Sequence, residues 1–203
     1  CALPICMTAR GLSSFEPSKD GRRMLVPYSG RLFIVDRPSD AVRELPTPIG
    51  VAAADAAHLS PDGSQVSLVR DGSMRIVDIA SGVERVIAAP ESSEVSYGLP
   101  EFVAQEEMDR FDGYWWSPDG RFVAVQRTDH TGVERLRIMD PSNPTQAPEA
   151  NPYPRPGKRN DDVSLAVFPA AGGAPVWVQW DRDAYPYMCS VTWPESGPRS
   201  EEH

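Results

Sequence analysis

The sequence predicts an all-β fold, a partial β-propeller of about three blades, and three observations support this. First, 21 prolines and 15 glycines are scattered between short apolar runs of the 203-residue chain, a distribution that suits many turns and disfavours long helices. Second, a turn motif recurs along the chain at a fixed interval. Third, each recurring unit contains several apolar runs of strand length. Together they predict blades made of four-stranded antiparallel sheets.

The repeat is clearest in the first two units, which share three landmarks at one spacing. Each landmark of the first unit returns 42 positions later in the second: Asp20, Gly30 and Asp36 return as Asp62, Gly72 and Asp78. The motif around each aspartate is a turn signal, since Asp bonds back to the backbone and Gly accepts left-handed conformations. A third unit begins at Trp116-Ser117-Pro118-Asp119-Gly120 and is expected to close with a strand over Leu136 to Asp140, and Trp193 to Gly197 resembles the start of a fourth.

The repeat also suggests how the chain is divided. Residues 1–14 are predicted to be unstructured or the edge of a fragment, and 15–203 to be one partial propeller domain. Its blades are expected at about 15–57, 58–95 and 112–180, with the start of another blade at 185–203. A β-sandwich with regular spacing is the alternative. Because a closed propeller needs at least four blades, the chain is interpreted as a piece of a longer polypeptide.

Composition narrows the function classes. A formal net charge of −9 argues against general nucleic-acid binding, which relies on Lys and Arg neutralising phosphates. No run approaches the ~20 apolar residues of a membrane span. The cysteines and histidines show no disulfide or zinc-ligand spacing, so neither a metal nor another cofactor is expected. These residues are Cys1, Cys6 and Cys189, and His58, His130 and His203.

One insertion breaks the period. The aspartates of the second and third turns, Asp62 and Asp119, are 57 positions apart, about 15 more than the repeat, and the extra residues are placed at 96–111. Helix-forming residues after Pro100 predict one or two helical turns there. They carry the adjacent glutamates Glu106 and Glu107, whose carboxylates could accept charge-assisted hydrogen bonds from one ammonium group. On spacing alone, a Glu-Glu pair is more typical of solvated helix surface.

The surrounding residues supply a family resemblance. Residues 97–107, YGLPEFVAQEE, followed by 113–120, GYWWSPDG, resemble the di-glutamate segment of the dipeptidyl peptidase IV family, in which a short propeller helix precedes an aromatic pair and a Ser-Pro-Asn/Asp-Gly turn. Tyr153-Pro154, Gly157 and Asn160 resemble a later family motif, although Asp161 stands where the family usually has Pro. Trp115, Trp116, Trp177 and Trp180 are interpreted as blade core or strand residues, and Asp109 as a surface acid.

The resemblance implies a function for the glutamate pair. In the family, the residues matching Glu106 and Glu107 bind the N-terminal ammonium of a peptide, and a serine nucleophile then releases dipeptides with Pro or Ala in second position. The implied partners are peptides with a free N-terminus, an α/β-hydrolase domain of the same polypeptide and a second copy in a homodimer. No Gly-x-Ser-x-Gly elbow occurs in this sequence, and no arginine matches the family's substrate-carbonyl contact.

Two alternatives stay open after the sequence. The chain is either the substrate-recognition propeller segment of a serine exopeptidase or a non-catalytic propeller scaffold that binds proteins, including inactive relatives of the same family. The glutamate pair favours the first, because a scaffold needs no receptor for an amine. The cellular compartment is not predicted, and periplasmic, extracellular and cytoplasmic locations all remain compatible with the sequence.

Overall fold

The computed structural model describes residues 14–46 and 55–194, which fold into three successive antiparallel sheets with one added hairpin and one short helix. Most of the predicted segment 1–14, and residues 195–203 of the predicted further blade, lie outside the described residues. The first two sheets each contain four strands in chain order. They are β1 Glu16–Pro17, β2 Arg23–Tyr28, β3 Arg31–Asp36 and β4 Ala41–Glu44, then β5 Asp55–Leu59, β6 Gln65–Arg70, β7 Ser73–Asp78 and β8 Glu84–Ala88.

The third sheet is less regular than the first two. Two short strands, β9 Val95–Tyr97 and β10 Tyr114–Trp116, both pair with β11 Phe122–Asp129, and helix α1 Phe102–Glu107 lies between them in the chain. On its other side β11 pairs with β14 Asp162–Pro169, which pairs with β15 Val176–Trp177. The six residues of α1 lie within the predicted one or two helical turns.

The repeated turns have the same geometry in all three sheets. In the second sheet the Ser60 hydroxyl donates to Asp62 at 2.6 Å, and the Gln65 N–H donates back to the Ser60 hydroxyl at 2.9 Å. In the first and third turns, the hydroxyls of Ser18 and Ser117 donate and accept the corresponding two bonds at the same distances. The following glycines have φ values of 66°, 68° and 69°, in the left-handed region where glycine is favoured: Gly21, Gly63 and Gly120. The sequence repeat is therefore a structural repeat.

The strand expected over Leu136 to Asp140 does not belong to the third sheet. It forms β12 Arg135–Ile138, which pairs only with β13 Glu149–Pro152 in a separate hairpin between β11 and β14. Burial explains the difference. All four residues of β12 are exposed, whereas β14 buries apolar side chains on both faces. The pattern Leu-Arg-Ile-Met-Asp imitates the repeat, but β14 supplies the apolar surface that the sheet needs.

The sheets pack face to face, and the second sheet contributes to the core on both sides. Alternate side chains of a strand point to opposite faces, so Leu68 of β6 joins a cluster with the first sheet and Val69 joins a cluster with the third. In the latter, Phe168 of β14 packs edge-on against Tyr97 of β9. Successive antiparallel sheets stacked in this way, the first two with four strands each, confirm the predicted partial propeller with its helical insertion.

Candidate functional site

Strands β9 and β10 are two halves of one edge strand that the helix interrupts. Tyr97 of β9 lies opposite Arg127 of β11, and Tyr114 of β10 lies opposite Val125. The chain thus advances 17 positions while its partner advances two, which leaves 15 extra residues. This is the same excess that separates the third repeat from the 42-residue period. We call residues 98–113 the excursion; residues 96 and 97, which the spacing assigned to the insertion, lie in β9.

The excursion leaves and rejoins the sheet at one residue, Gln126 of β11. The Gly98 N–H donates to the Gln126 carbonyl at 2.9 Å, and the Gln126 N–H donates to the Gly113 carbonyl at 2.8 Å. The two stems touch each other here. A Cβ on Gly113 would lie 2.5 Å from the Gly98 carbonyl carbon and 2.6 Å from that of Leu99. Gly98 has a φ of +82°, and a Cβ there would lie 2.8 Å from Val69. Both glycines are needed for this close approach.

Helix α1 presents the predicted glutamates to solvent. Its one buried residue is Ala104, while Glu106 and Glu107 are exposed. Adjacent residues of a helix point about 100° apart, so the two carboxylates diverge at their bases but can meet at a ligand beyond the helix. One helical turn before Glu106, the ring of Phe102 packs against Tyr153 at 4.8 Å between centroids. Tyr153, part of the later sequence motif, therefore lies beside the glutamate helix.

The helix ends in a turn that leads back underneath it. Asp109 adopts a φ of +52°, in the left-handed region, and its side chain is exposed. Its conformation brings the Arg110 N–H to the Ala104 carbonyl at 3.0 Å. Asp109 is thus a surface acid, as predicted, and it ends the helix through its backbone conformation.

A buried polar network lies under the helix, and the sequence did not predict it. Arg110, which is 7% exposed, donates to Glu101 at 2.9 Å and to the Gln126 side-chain oxygen at 2.7 Å. Gln126 in turn donates to Glu101 at 2.6 Å and to Thr128 at 2.8 Å. We call Glu101, Arg110 and Gln126 the latch. A sequence signal existed: Gln126 occupies a repeat position where the second sheet has Val69, an apolar residue.

A histidine connects the excursion to the first two sheets. His58 of β5 contacts Glu16 of β1 at 3.0 Å through Nδ1 and Asp112 of the excursion at 3.2 Å through Nε2. Its hydrogen bonds to Asp112 and Glu16 raise the pKa of His58 to about 9. The same contact with His58 lowers the pKa of the Asp112 carboxyl. The sequence indicated no acidic partner for this histidine, since both acids are distant along the chain.

The aromatic pair after the excursion packs on both sides of β10. Trp116 packs against the core between the second and third sheets and donates from Nε1 to the Ser67 hydroxyl at 2.8 Å. Trp115 packs on the opposite face, where the Arg110 guanidinium lies 5.9 Å from its ring. Both support the sheet, in agreement with their interpretation as blade residues. Trp177 lies in β15, and Trp180 lies beyond its end.

The described site consists of exposed acidic side chains above a buried polar network. Two exposed carboxylates lie on a helix whose base is fixed by hydrogen bonds, an arrangement that can bind a cation such as an ammonium group. Among the described residues, no three His, Cys, Asp or Glu side chains are grouped as a metal ion would require. Nor does any helix in residues 14–46 or 55–194 have the length and apolar character to cross a membrane.

The chain is similar to known proteins in both sequence and fold. Residues 18–201 match the family described as the dipeptidyl peptidase IV (DPP IV) N-terminal region. A probable dipeptidyl-aminopeptidase B of Pyrenophora teres f. teres is 30% identical over 177 residues, and one of Grosmannia clavigera is 29% identical over 164 residues. The alignments cover 75% and 70% of this chain but 19% and 17% of those relatives, so the chain spans less than a fifth of their length.

A solved structure shows the same fold. The crystal structure of Porphyromonas gingivalis dipeptidyl peptidase 4 matches with a TM-score of 0.71 at 24% sequence identity. The match covers 89% of this chain and 26% of that one. At this identity the likeness concerns the fold.

Proposed function

Since the chain belongs to the dipeptidyl peptidase IV N-terminal-region family, we propose that it is the substrate-recognition segment of a serine exopeptidase that releases N-terminal dipeptides. In this proposal Glu106 and Glu107 bind the free ammonium of a peptide, and an α/β-hydrolase domain of the same polypeptide supplies the nucleophile. The preferred second residue is Pro or Ala, and the whole protein forms a homodimer. The relatives named above are dipeptidyl-aminopeptidases, which agrees with the proposal.

The observation that carries the proposal is the placement of the glutamates. They are exposed on a helix that interrupts an edge strand at one residue, so the sheet gives up regular pairing to present them. Insertions in repeat proteins commonly form binding surfaces. An amine bound there would place its peptide at a fixed distance from the helix, and the length of a dipeptide would follow from the distance to the nucleophile.

The test uses the full-length protein and a Gly-Pro-anilide substrate. Glu106→Gln and Glu107→Gln keep the side-chain shape and remove the charge, so each should lower kcat/KM more than tenfold, because a hydrogen bond to a charged group contributes roughly 1.5–3 kcal/mol. The matched control is Asp109→Asn, which removes a neighbouring exposed charge and keeps a residue that tolerates a left-handed φ. Normal kcat/KM in both glutamate variants would reject the amine-receptor role.

A second test separates the exopeptidase from a scaffold. The coding sequence that follows His203 should contain a Gly-x-Ser-x-Gly elbow and then Asp and His, the chain order of α/β-hydrolases. If that segment lacked the serine, the non-catalytic propeller would replace the exopeptidase as the proposed function. Labelling of the purified protein by a fluorophosphonate would give the same answer chemically, because the reagent reacts with activated serines and carries no amine.

A further inference from the structure

We infer that Arg110 is a positioning residue that holds helix α1, and with it Glu106 and Glu107, at a fixed place over strand β11. The inference rests on the proposed amine-binding function and adds a residue to it. Arg110 is not offered as a substrate contact. It is 7% exposed and its terminal nitrogens bond protein groups beneath the helix, so it acts through the position of the glutamates.

The contacts of Arg110 join three parts of the molecule. Glu101 immediately precedes the helix, Gln126 belongs to β11, and Asp112 lies on the returning stem of the excursion. Nη2 donates to Glu101, while Nη1 donates to the Gln126 side chain and, at 2.8 Å, to the Asp112 carbonyl. A planar guanidinium fixes its partners in direction as well as distance, which a single ammonium does not. The start and the end of the helix are therefore tied to one point of the sheet.

The helix needs such a support because it is too short to hold itself. An isolated helix of six residues is unstable in water, since nucleation costs more than so few bonds return. Packing offers little help, because Ala104 is the one helix residue that is buried. The Phe102–Tyr153 ring contact supports one flank. The latch lies below the helix, and its hydrogen bonds connect the residues that flank both ends of the helix to β11.

The buried charges of the latch indicate a role in geometry more than in stability. Replacing a buried ion pair by neutral groups is often harmless to stability, while removing one partner alone costs several kcal/mol. Within the described residues, Nε of Arg110 and Oε1 of Glu101 are buried without a hydrogen-bond partner, so the network is not optimised for stability. What it does supply is a single orientation for the excursion.

A matched ion pair in the second sheet provides the control. Arg70 is 2% exposed and donates to both oxygens of Glu84, which also accepts a bond from Arg75. Like Arg110, Arg70 has a buried Nε without a hydrogen-bond partner among the described residues. Removing the Arg70–Glu84 pair should affect stability as removing the latch does, but it should leave helix α1 in place.

The experiment compares these pairs in the full-length protein. One variant combines Arg110→Met with Glu101→Gln, so that neither charge is left buried alone, and the control combines Arg70→Met with Glu84→Gln. The latch variant should raise KM for Gly-Pro-anilide about tenfold or more, because a misplacement near 1 Å can cost up to a hundredfold. Its rate of fluorophosphonate labelling should stay within about twofold of wild type, since that reaction needs no amine. The control should leave both quantities unchanged whatever its Tm.

A single substitution keeps the test independent of the double variant. Arg110→Lys retains the positive charge but cannot form the fork to Glu101 and Gln126. Compared with the double variant, Arg110→Lys should therefore bring Tm closer to the wild-type value than it brings KM. A purely structural arginine would show the opposite, with KM at the wild-type value and only Tm lowered.

The outcomes separate this inference from the proposed function. If Glu106→Gln and Glu107→Gln raise KM but the latch variants leave it unchanged, the positioning role of Arg110 is rejected and amine binding stands. If the glutamate variants have normal KM, amine binding is rejected, and the positioning role with it. If the control pair raises KM as much as the latch does, the effect is general destabilisation and the inference is also rejected.

Discussion

Val69 in the second sheet and Gln126 in the third occupy the same place in the repeat, seven residues after the aspartate of the turn. Both are fully buried. Val69 packs in an apolar cluster that includes Met74 and Ile76. The Gln126 side chain instead forms hydrogen bonds with the side chains of Glu101, Arg110 and Thr128. The same backbone position is thus apolar in one sheet and polar in the next.

The edge strands beside these two residues explain the difference. In the second sheet, β5 contains one extra residue between Asp55 and His58, a small bulge opposite β6. In the third sheet, the equivalent edge strand contains 15 extra residues opposite Gln126. Edge strands tolerate such additions because one side has no partner strand. A bulge leaves the core apolar, while a long excursion brings its own polar groups under the sheet edge and requires a residue there that can bond them.

The largest expected effect comes from closing the space between the stems. Gly113→Ala would place a methyl group 2.5 Å from the backbone of Gly98, and backbone cannot move aside as a flexible side chain does. We expect the free energy of unfolding to fall by about 3 kcal/mol, at the upper end of the usual cost of overpacking. Urea denaturation of the purified protein measures this change.

Gly157→Ala is the control for Gly113→Ala. Gly157 has a φ of +76° and open space around its Cβ position, so alanine there meets only the cost of a left-handed backbone, about 1 kcal/mol. If Gly113→Ala were no more destabilising than Gly157→Ala, the close approach of the two stems would not be a structural requirement.

A smaller effect is expected from making the third sheet resemble the second. Gln126→Met keeps the length of the side chain and removes its hydrogen bonds, which leaves Arg110 and Glu101 each with one partner fewer. We expect a loss of about 2 kcal/mol, because buried charged groups lose hydrogen bonds. Hydrogen exchange followed by mass spectrometry should show faster exchange in residues 98–113 and little change in the second sheet. Equal protection of the excursion in variant and wild type would contradict this account.

The comparison also shows which parts of the site the sequence could predict. The turns, the period and the helix depend on neighbouring residues, so local patterns revealed them. The 15-residue excess located the insertion, and the aromatic-pair motif gave Glu106 and Glu107 a role to test. These signals come from residues that are close together in the chain, so one sequence is enough to detect them.

The latch could not be predicted in this way, because its members are brought together only by the fold. Glu101 and Gln126 are 25 positions apart and belong to a loop and a strand, with no spacing that announces a contact. A glutamine in a β-strand is ordinarily placed on the solvent side. Only its position relative to Val69 in the repeat distinguishes Gln126. The third-sheet strand expected at β12 was wrong for the opposite reason. The local pattern of β12 resembles the repeat, but its residues are exposed, and β14, which buries apolar side chains, pairs with β11 instead.

The smallest expected effect concerns His58, which joins the edge strand of the second sheet to the excursion of the third. Its pKa is raised to about 9 by Asp112 and Glu16, against an ordinary value near 6.5. A group whose pKa is raised by folding stabilises the folded state fully below its unfolded pKa, and this contribution declines as pH rises through the folded pKa. The His58 contribution should therefore be complete at pH 6, decline above pH 6.5 and be lost beyond about pH 9.

His58→Gln lacks the titration, so the Tm difference between wild type and variant should be a few degrees at pH 6 and shrink by pH 10. Because His58 is about one-third exposed, solvent screening keeps the effect small. Thermal unfolding at several pH values measures it, and a Tm difference that did not change with pH would mean that the excursion is held without the charge on this histidine.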